Sequence, residues 1–333
     1  MLTHSAVHLS LGNSPWLSFL RAFPGVPIFF VISGFLISAS YERSANLRNF
    51  ARNRILRIYP GLWCCVLVTI PVAILFGMNF TNKQAIPWVF SQFIGVIYTP
   101  SFLKDFGLGS YNGSLWTIPI ELQFYFLLPA LYWLINKSHN QISYFLLAWL
   151  IFLSIAFILY FVFPPLGEAE TETKLRKLVR YCFLPHFYLF LTGVLLQRLE
   201  AYKSKYVVGK GFYWLVGYIV FYYFIPSPVT THIGEKILLA VTVVSMAYTK
   251  PDISHKLLIG NDISYGVYIY HGLMINIFIS MGLTGSIEYL LLLSVFTYLA
   301  GYLSWVIIER PCLRRKKQTI NPELMNQSVS TSP

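Results

Sequence analysis

Apolar residues run along this chain in long blocks separated by short polar segments. Ten blocks stand out, at about 24–39, 58–77, 86–98, 115–136, 144–163, 181–197, 211–225, 233–249, 262–280 and 287–308. A helix of about 20 apolar residues crosses the hydrocarbon of a bilayer. The pattern therefore predicts an all-α integral membrane protein, a bundle of about ten transmembrane helices counted as nine full spans and a first one truncated here. The shorter blocks predict tilted spans, or spans flanked by interfacial aromatic residues.

Composition strengthens this picture. Of 333 residues, 56% are hydrophobic, 17% aromatic and only 11% charged, against about a quarter charged in a soluble domain; mean hydropathy is +0.59. One membrane domain, 1–313, fills the chain, followed by a basic and polar tail, 314–333. No cleavable signal peptide is evident at the start, so insertion relies on the spans themselves. Cys64, Cys65, Cys182 and Cys312 lie in or beside apolar runs without metal-ligand spacing and read as packed or lipid-facing thiols, not as a disulfide framework. The net charge of +12 resides in short loops, where it reports orientation; nucleic acid is set aside as a partner.

Lysine and arginine gather in 41–57, 198–210, 250–256 and 314–317, whereas 226–232 and 281–286 lack them. Putting the basic segments on one side, the cytoplasmic one, requires that 86–98 does not cross. That block is expected to be re-entrant or interfacial within an outer region, 78–114. The loop 164–180 falls outside and mixes both signs, a weak exception. Counting back places the residues before the first full span outside as well, so residues 1–11 read as the last turns of a helix truncated at the front.

An ionisable side chain in hydrocarbon is a functional hypothesis by default. Glu121 sits about six residues into an aromatic helix near Trp116 and Gln123, and reads either as polar glue between helices or as a residue that orients substrate. Glu309, followed by Arg310 and Pro311, reads as the interfacial end of the last helix, and Glu288 stands at a span entrance. Arg54 and Arg57 lie one helical turn apart at the mouth of a span. A loop obeying the charge rule explains them, and so does a phosphate ligand held by two guanidinium forks. His271, among tyrosines inside a span, reads as a satisfied core histidine, with proton transfer as the alternative. His4 and His8 are one turn apart; no third ligand is in view for a metal, and a general base is the better functional reading because imidazole titrates near neutrality.

Taken together, "LTHSAV", "GVPIFFVISGFLIS", "FARNRILRIYP", "SLWTIPIELQFYFLLP", "ISYGVYIYHGLM" and "IIERP" resemble the acyltransferase-3 family of bacterial membrane O-acyltransferases, in the family's order and nearly from end to end. The resemblance implies a ten-helix bundle in the bacterial inner membrane with its C-terminus cytoplasmic. It implies transfer of an acyl group, commonly acetyl from cytoplasmic acetyl-CoA as co-substrate, to a hydroxyl of a cell-surface or exported glycan or glycolipid. No bound cofactor and no metal are implied.

By the same resemblance His4 matches the histidine that closes the family's first-helix motif and acts as base on the acceptor hydroxyl. Arg54 and Arg57 match its arginine pair and are assigned to the phosphates of acyl-CoA. Glu121 matches its acid and orients the acceptor or His4; Trp116 and His271 are the weaker acceptor-side candidates. The family's basic residue eleven positions before His4 is not in the chain, which starts three residues before that histidine. A late start at an internal methionine is expected, with a degraded copy as the alternative. A glycan or lipid transporter, and a non-catalytic subunit of a polysaccharide assembly complex, are the competing functions. Trp16, Trp88 and Trp116 are expected near the outer face, as belt residues or as platforms for sugar rings.

Overall fold

A computed structural model describes residues 1–11, 15–44, 46–135, 141–163, 173–225, 229–252 and 260–315. Each of the ten apolar blocks carries a helix, and no strand occurs among the described residues. In chain order the helices are α1 (Leu2–His8), α2 (Pro15–Arg21), α3 (Gly25–Glu42), α4 (Leu47–Leu75), α5 (Ala85–Phe93), α6 (Thr117–Ile135), α7 (Gln141–Val162), α8 (Lys174–Arg180), α9 (Phe187–Arg198), α10 (Gly211–Phe224), α11 (Val229–Ala247), α12 (Ser264–Ser280) and α13 (Ile287–Ser304). The last runs through a π-helical turn, Trp305–Glu309, into α14 (Arg310–Leu313). The tail beyond 315, most of the loop 164–180, and parts of 226–232 and 250–256 lie outside the described residues.

Among the described residues, five helical stretches are long and apolar enough to cross a membrane: Pro15–Glu42, Leu47–Leu75, Gly113–Ile135, Gln141–Val162 and Ile287–Leu313. Phe187–Arg198 and Gly211–Phe224 are shorter apolar helices. Helix α5 has nine residues, about 13 Å of rise, well short of a bilayer core of about 30 Å.

Local chemistry sets the helix starts. Asn46 accepts from the backbone N–H of Asn49 at 2.8 Å ahead of α4, Thr173 caps Arg176 ahead of α8, and Ser286 caps Glu288 ahead of α13. Each satisfies an amide that the first turn would leave unpaired. Pro60 and Pro71 lie within α4 and Pro129 within α6, as membrane helices tolerate.

The chain divides into two packed units. The first holds α1, α2, α4 from Ala51, α5, the segment up to Pro119, and α12 to α14. Its apolar core joins Ala6 of α1 and Leu9 just after it with Leu17 of α2, Ile275 and Phe278 of α12, and Leu290 and Leu293 of α13. Helices α12 and α13 cross at Gly266 and Gly301: a Cβ on Gly301 would stand 2.7 Å from the backbone nitrogen of Val267. Small residues at such a crossing let backbones approach where hydrophobic driving force is absent.

The same unit staples its 98–116 segment onto α12. Asn276 accepts from the Leu108 N–H at 3.0 Å and donates to the carbonyls of Ser110 and Tyr111 at 2.7 and 2.8 Å. Asn112 donates to the Ile269 carbonyl at 2.7 Å and accepts from the Ser114 N–H at 3.3 Å. Cys65 donates its thiol to the same Ile269 carbonyl at 3.3 Å, a packed thiol as the sequence predicts.

The second unit holds α3 and α6 to α11. Helices α3 and α9 pack through Gly34 and Gly193, where an added Cβ would fall 1.9 Å from the Phe190 carbonyl oxygen and 2.0 Å from that of Val31. Around them Phe30, Phe124, Phe187 and Phe190 stack in the interior. At one end of this unit Arg198 donates to Glu42 at 2.6 Å and to Gln141 at 2.7 Å, and its guanidinium lies over the rings of Tyr132 and Phe145.

Candidate active site

Helix α1 carries His4 and His8 at i and i+4, so both imidazoles leave one face. Their Nε2 atoms are 3.2 Å apart and the rings meet edge to face at 4.4 Å between centroids. His4 is exposed and His8 half-buried, while Ser5 and Ala6 turn inward. Because α1 packs on α12, His4 also meets His271, with ring centroids 5.3 Å apart and planes at 77°. Three imidazoles thus stand in sequence, two from α1 and one from α12.

His271 is buried and held from behind. Its Nδ1 lies 2.8 Å from the Tyr268 carbonyl, one turn earlier on α12. A carbonyl only accepts, so that hydrogen bond places the ring proton on Nδ1, and the Ser114 hydroxyl stands 3.0 Å from both ring nitrogens. Ser114 sits in the 3-10 turn Gly113–Trp116 that leads into α6. Its carbonyl accepts from the Tyr268 hydroxyl, which also pairs with the Thr117 hydroxyl. Gly272 makes the approach possible: a Cβ there would stand 2.6 Å from Ser114 Oγ.

Arg57 lies toward the start of α12. Its Nη2 reaches Asp262 at 2.6 Å, its Nη1 is 3.9 Å from Glu309, and its guanidinium is 5.7 Å from the Tyr265 ring centroid. Tyr265 donates to the Ile58 carbonyl at 2.8 Å, tying α4 to α12 beside that arginine. Arg54, one turn before on α4, is half-buried.

Glu121 belongs to the second unit. It accepts from the Tyr125 hydroxyl one turn along α6 and from Ser33 of α3 at 3.4 Å. Trp116, half-buried, closes the 3-10 turn that holds Ser114.

Two sequence expectations change. Glu309 does not end the last helix at an interface: the π turn carries it inward to 1% exposure, beside Arg57. Trp88 is fully buried, donates to the Tyr98 carbonyl at 3.0 Å and is packed by Phe80, Phe102 and Tyr111. It is neither a belt residue nor a free platform for a sugar. Ser114, Tyr268 and Asp262 were not singled out from the sequence; no periodicity marks them, because their partners lie far away in the chain.

The acyltransferase domain family matches residues 1–308. The chain belongs to the acyltransferase-3 family. Membership makes it an acyltransferase, and with its apolar helices a membrane O-acyltransferase. Among curated relatives, Nodulation protein 10 of Rhizobium leguminosarum bv. viciae is 28% identical over 345 residues, covering 96% of this chain and 91% of that protein. Peptidoglycan O-acetyltransferase OatA of Listeria monocytogenes is 32% identical over 119 residues, 32% of this chain and 19% of that protein. O-acetyltransferase OatA of Staphylococcus aureus is 28% identical over 188 residues, 52% of this chain and 31% of that protein. No solved structure matches the chain.

Proposed function

We propose that this acyltransferase-3 chain moves an acyl group, acetyl in the simplest case, from acyl-CoA to a hydroxyl of a cell-surface or exported glycan. The observation that carries this reading is the layout along α12. Tyr265, beside Arg57, and His271, beside His4, are six residues apart on that helix, about 9 Å of rise. A thioester whose phosphates rest at the arginine end can extend its acyl arm to the imidazoles.

In this mechanism His4 takes the acceptor hydroxyl's proton as the oxygen attacks the thioester carbonyl. The new C–O bond forms, the C–S bond breaks, and the departing thiolate recovers the proton. His8 stands behind His4 to share that proton, and His271 orients the cluster. Arg54 and Arg57 hold donor phosphates by charge-assisted hydrogen bonds. Glu121, engaged by Tyr125 and Ser33, orients the acceptor. Trp116 contributes an acceptor-side ring. The basic segments and the C-terminus face the cytoplasm, where the donor is made, and 78–114 faces the opposite side. Two relatives named for O-acetyl transfer, one of them to peptidoglycan, support both the group moved and a glycan acceptor.

The test is transfer of labelled acetyl from acetyl-CoA to cell-envelope glycan by membranes carrying the chain, with His4→Ala alongside. Label in glycan that disappears with His4→Ala supports the reading. Membranes that move glycan without acetylating it point to a transporter, and glycan acetylation that needs a second protein and survives His4→Ala points to a non-catalytic subunit.

A further inference from the structure

Arg57 is shared between two carboxylates of unlike character. Asp262 lies in the segment just before α12 with its side chain 49% exposed, and it holds Nη2 at 2.6 Å. It also accepts from Ser264 at 2.6 Å. Glu309 is 2% exposed at its side chain and faces Nη1 at 3.9 Å. Its Oε1 accepts from Ser304 at 2.9 Å, while Oε2 is buried without a hydrogen bond.

These carboxylates are fixed by different means. Glu309 closes the π turn and is packed against Gly266 of α12, where an added Cβ would stand 3.0 Å from Oε1. Trp305, in the same turn, donates its indole N–H to Asn261 at 3.0 Å. The chain around Glu309 is therefore clamped on both sides. Asp262, by contrast, is held through its exposed carboxylate, by Arg57 and by Ser264 two residues on.

A buried carboxylate without a counter-charge is expensive, so Glu309 requires the guanidinium to stay. An exposed ion pair is worth about 0–1 kcal/mol, so Asp262 is readily displaced by a stronger anion. A phosphate offers more charge than a carboxylate and matches the same guanidinium fork.

From this we infer that Asp262 is an exchangeable latch on the donor site and Glu309 its fixed anchor. In the free chain Asp262 occupies the guanidinium edge that a donor phosphate takes on binding, while Glu309 keeps Arg57 in position throughout the exchange. Glu309 is thus a positioning residue. The inference rests on the reading that Arg57 receives the phosphates of acyl-CoA, and the shared chemistry, a phosphate anion, is also that of a lipid headgroup.

The experiment measures coenzyme A binding to the full chain in phosphatidylcholine nanodiscs for wild type, Arg57→Ala, Asp262→Asn and Glu309→Gln. Asp262→Asn is expected to bind coenzyme A about fivefold tighter, the fold-change an exposed ion pair is worth. Arg57→Ala and Glu309→Gln are expected to bind it more weakly. Asp262→Asn sits on an exposed side chain and decides the matter even where Glu309→Gln does not fold. If Arg57→Ala weakens binding and Asp262→Asn does not strengthen it, the latch is overturned and the donor site stands. Coenzyme A bound equally by Arg57→Ala and wild type overturns both. A gain in Asp262→Asn seen only for phosphatidylglycerol in the nanodisc, and not for coenzyme A, assigns the anion to lipid and overturns the donor latch.

Discussion

His4 and His8 face each other through their Nε2 atoms at 3.2 Å, so one nitrogen donates and the other accepts. A proton gained by His4 from an acceptor hydroxyl then has a second imidazole within hydrogen-bond reach. His4→Ala is expected to lower kcat by about a hundredfold or more, as loss of a general base does, and His8→Ala by a smaller factor. Initial rates of labelled acetyl transfer check both. His8→Gln separates the roles: an amide keeps a hydrogen bond but carries no proton onward, so it is expected to match His8→Ala.

His271 serves Ser114 and the Tyr268 carbonyl at once. Replacing it with Ala strips the buried Ser114 hydroxyl and the part-buried Tyr268 carbonyl of that partner, at about 1–3 kcal/mol for the buried group, so the variant is expected to unfold at lower temperature in detergent. Ser114→Ala removes one hydroxyl and is expected to cost less, about 1 kcal/mol. A His271→Ala chain that melts like wild type would place the histidine outside the structural frame of the site.

Gly34 and Gly193 let α3 and α9 touch backbone to backbone. Ala at either position must push the helices apart, at the upper end of about 1–3 kcal/mol for overpacking. Size-exclusion profiles and thermal melts of Gly34→Ala and Gly193→Ala are expected to show aggregated or early-melting protein. Gly217, with nothing within 4 Å of its would-be Cβ, is the matched control.

Arg198 bridges Glu42 and Gln141 while lying over Tyr132 and Phe145. A planar fork over an aromatic ring is not replaced by an ammonium group. Arg198→Lys is expected to recover little of the stability lost in Arg198→Ala, an outcome that paired thermal melts read directly.

Helix positions were legible because hydropathy in blocks depends on neighbours in sequence. The nine-residue α5 is a case in point: a short block amid polar turns gives a helix too short to cross. What brings His4 to His271, or Arg57 to Asp262 and Glu309, is the packing of α1 and α4 on α12, which no local pattern encodes. Polar residues in or beside apolar runs, His4 and His271, and the arginine pair spaced one turn apart drew attention to positions of the candidate site. Ser114 carried no such mark, since a serine at a helix start is ordinary. Trp88 was misplaced because an aromatic residue near a block's edge suits a membrane belt and a packed outer segment equally.

The π turn at Trp305–Glu309 alters the arithmetic of the last helix. At the regular pitch, eight residues from Gly301 would leave Glu309 turned about 80° away from the glycine's face. The wider turn absorbs roughly one residue of rotation, bringing the carboxylate back over Gly266, the residue that Gly301 itself abuts. The segment therefore behaves as an ordinary helix with one amino acid inserted. Shortening it by one residue among Val306–Ile308 keeps Glu309 on the same face, so at this place in the chain a deletion is gentler than straightening the helix at full length.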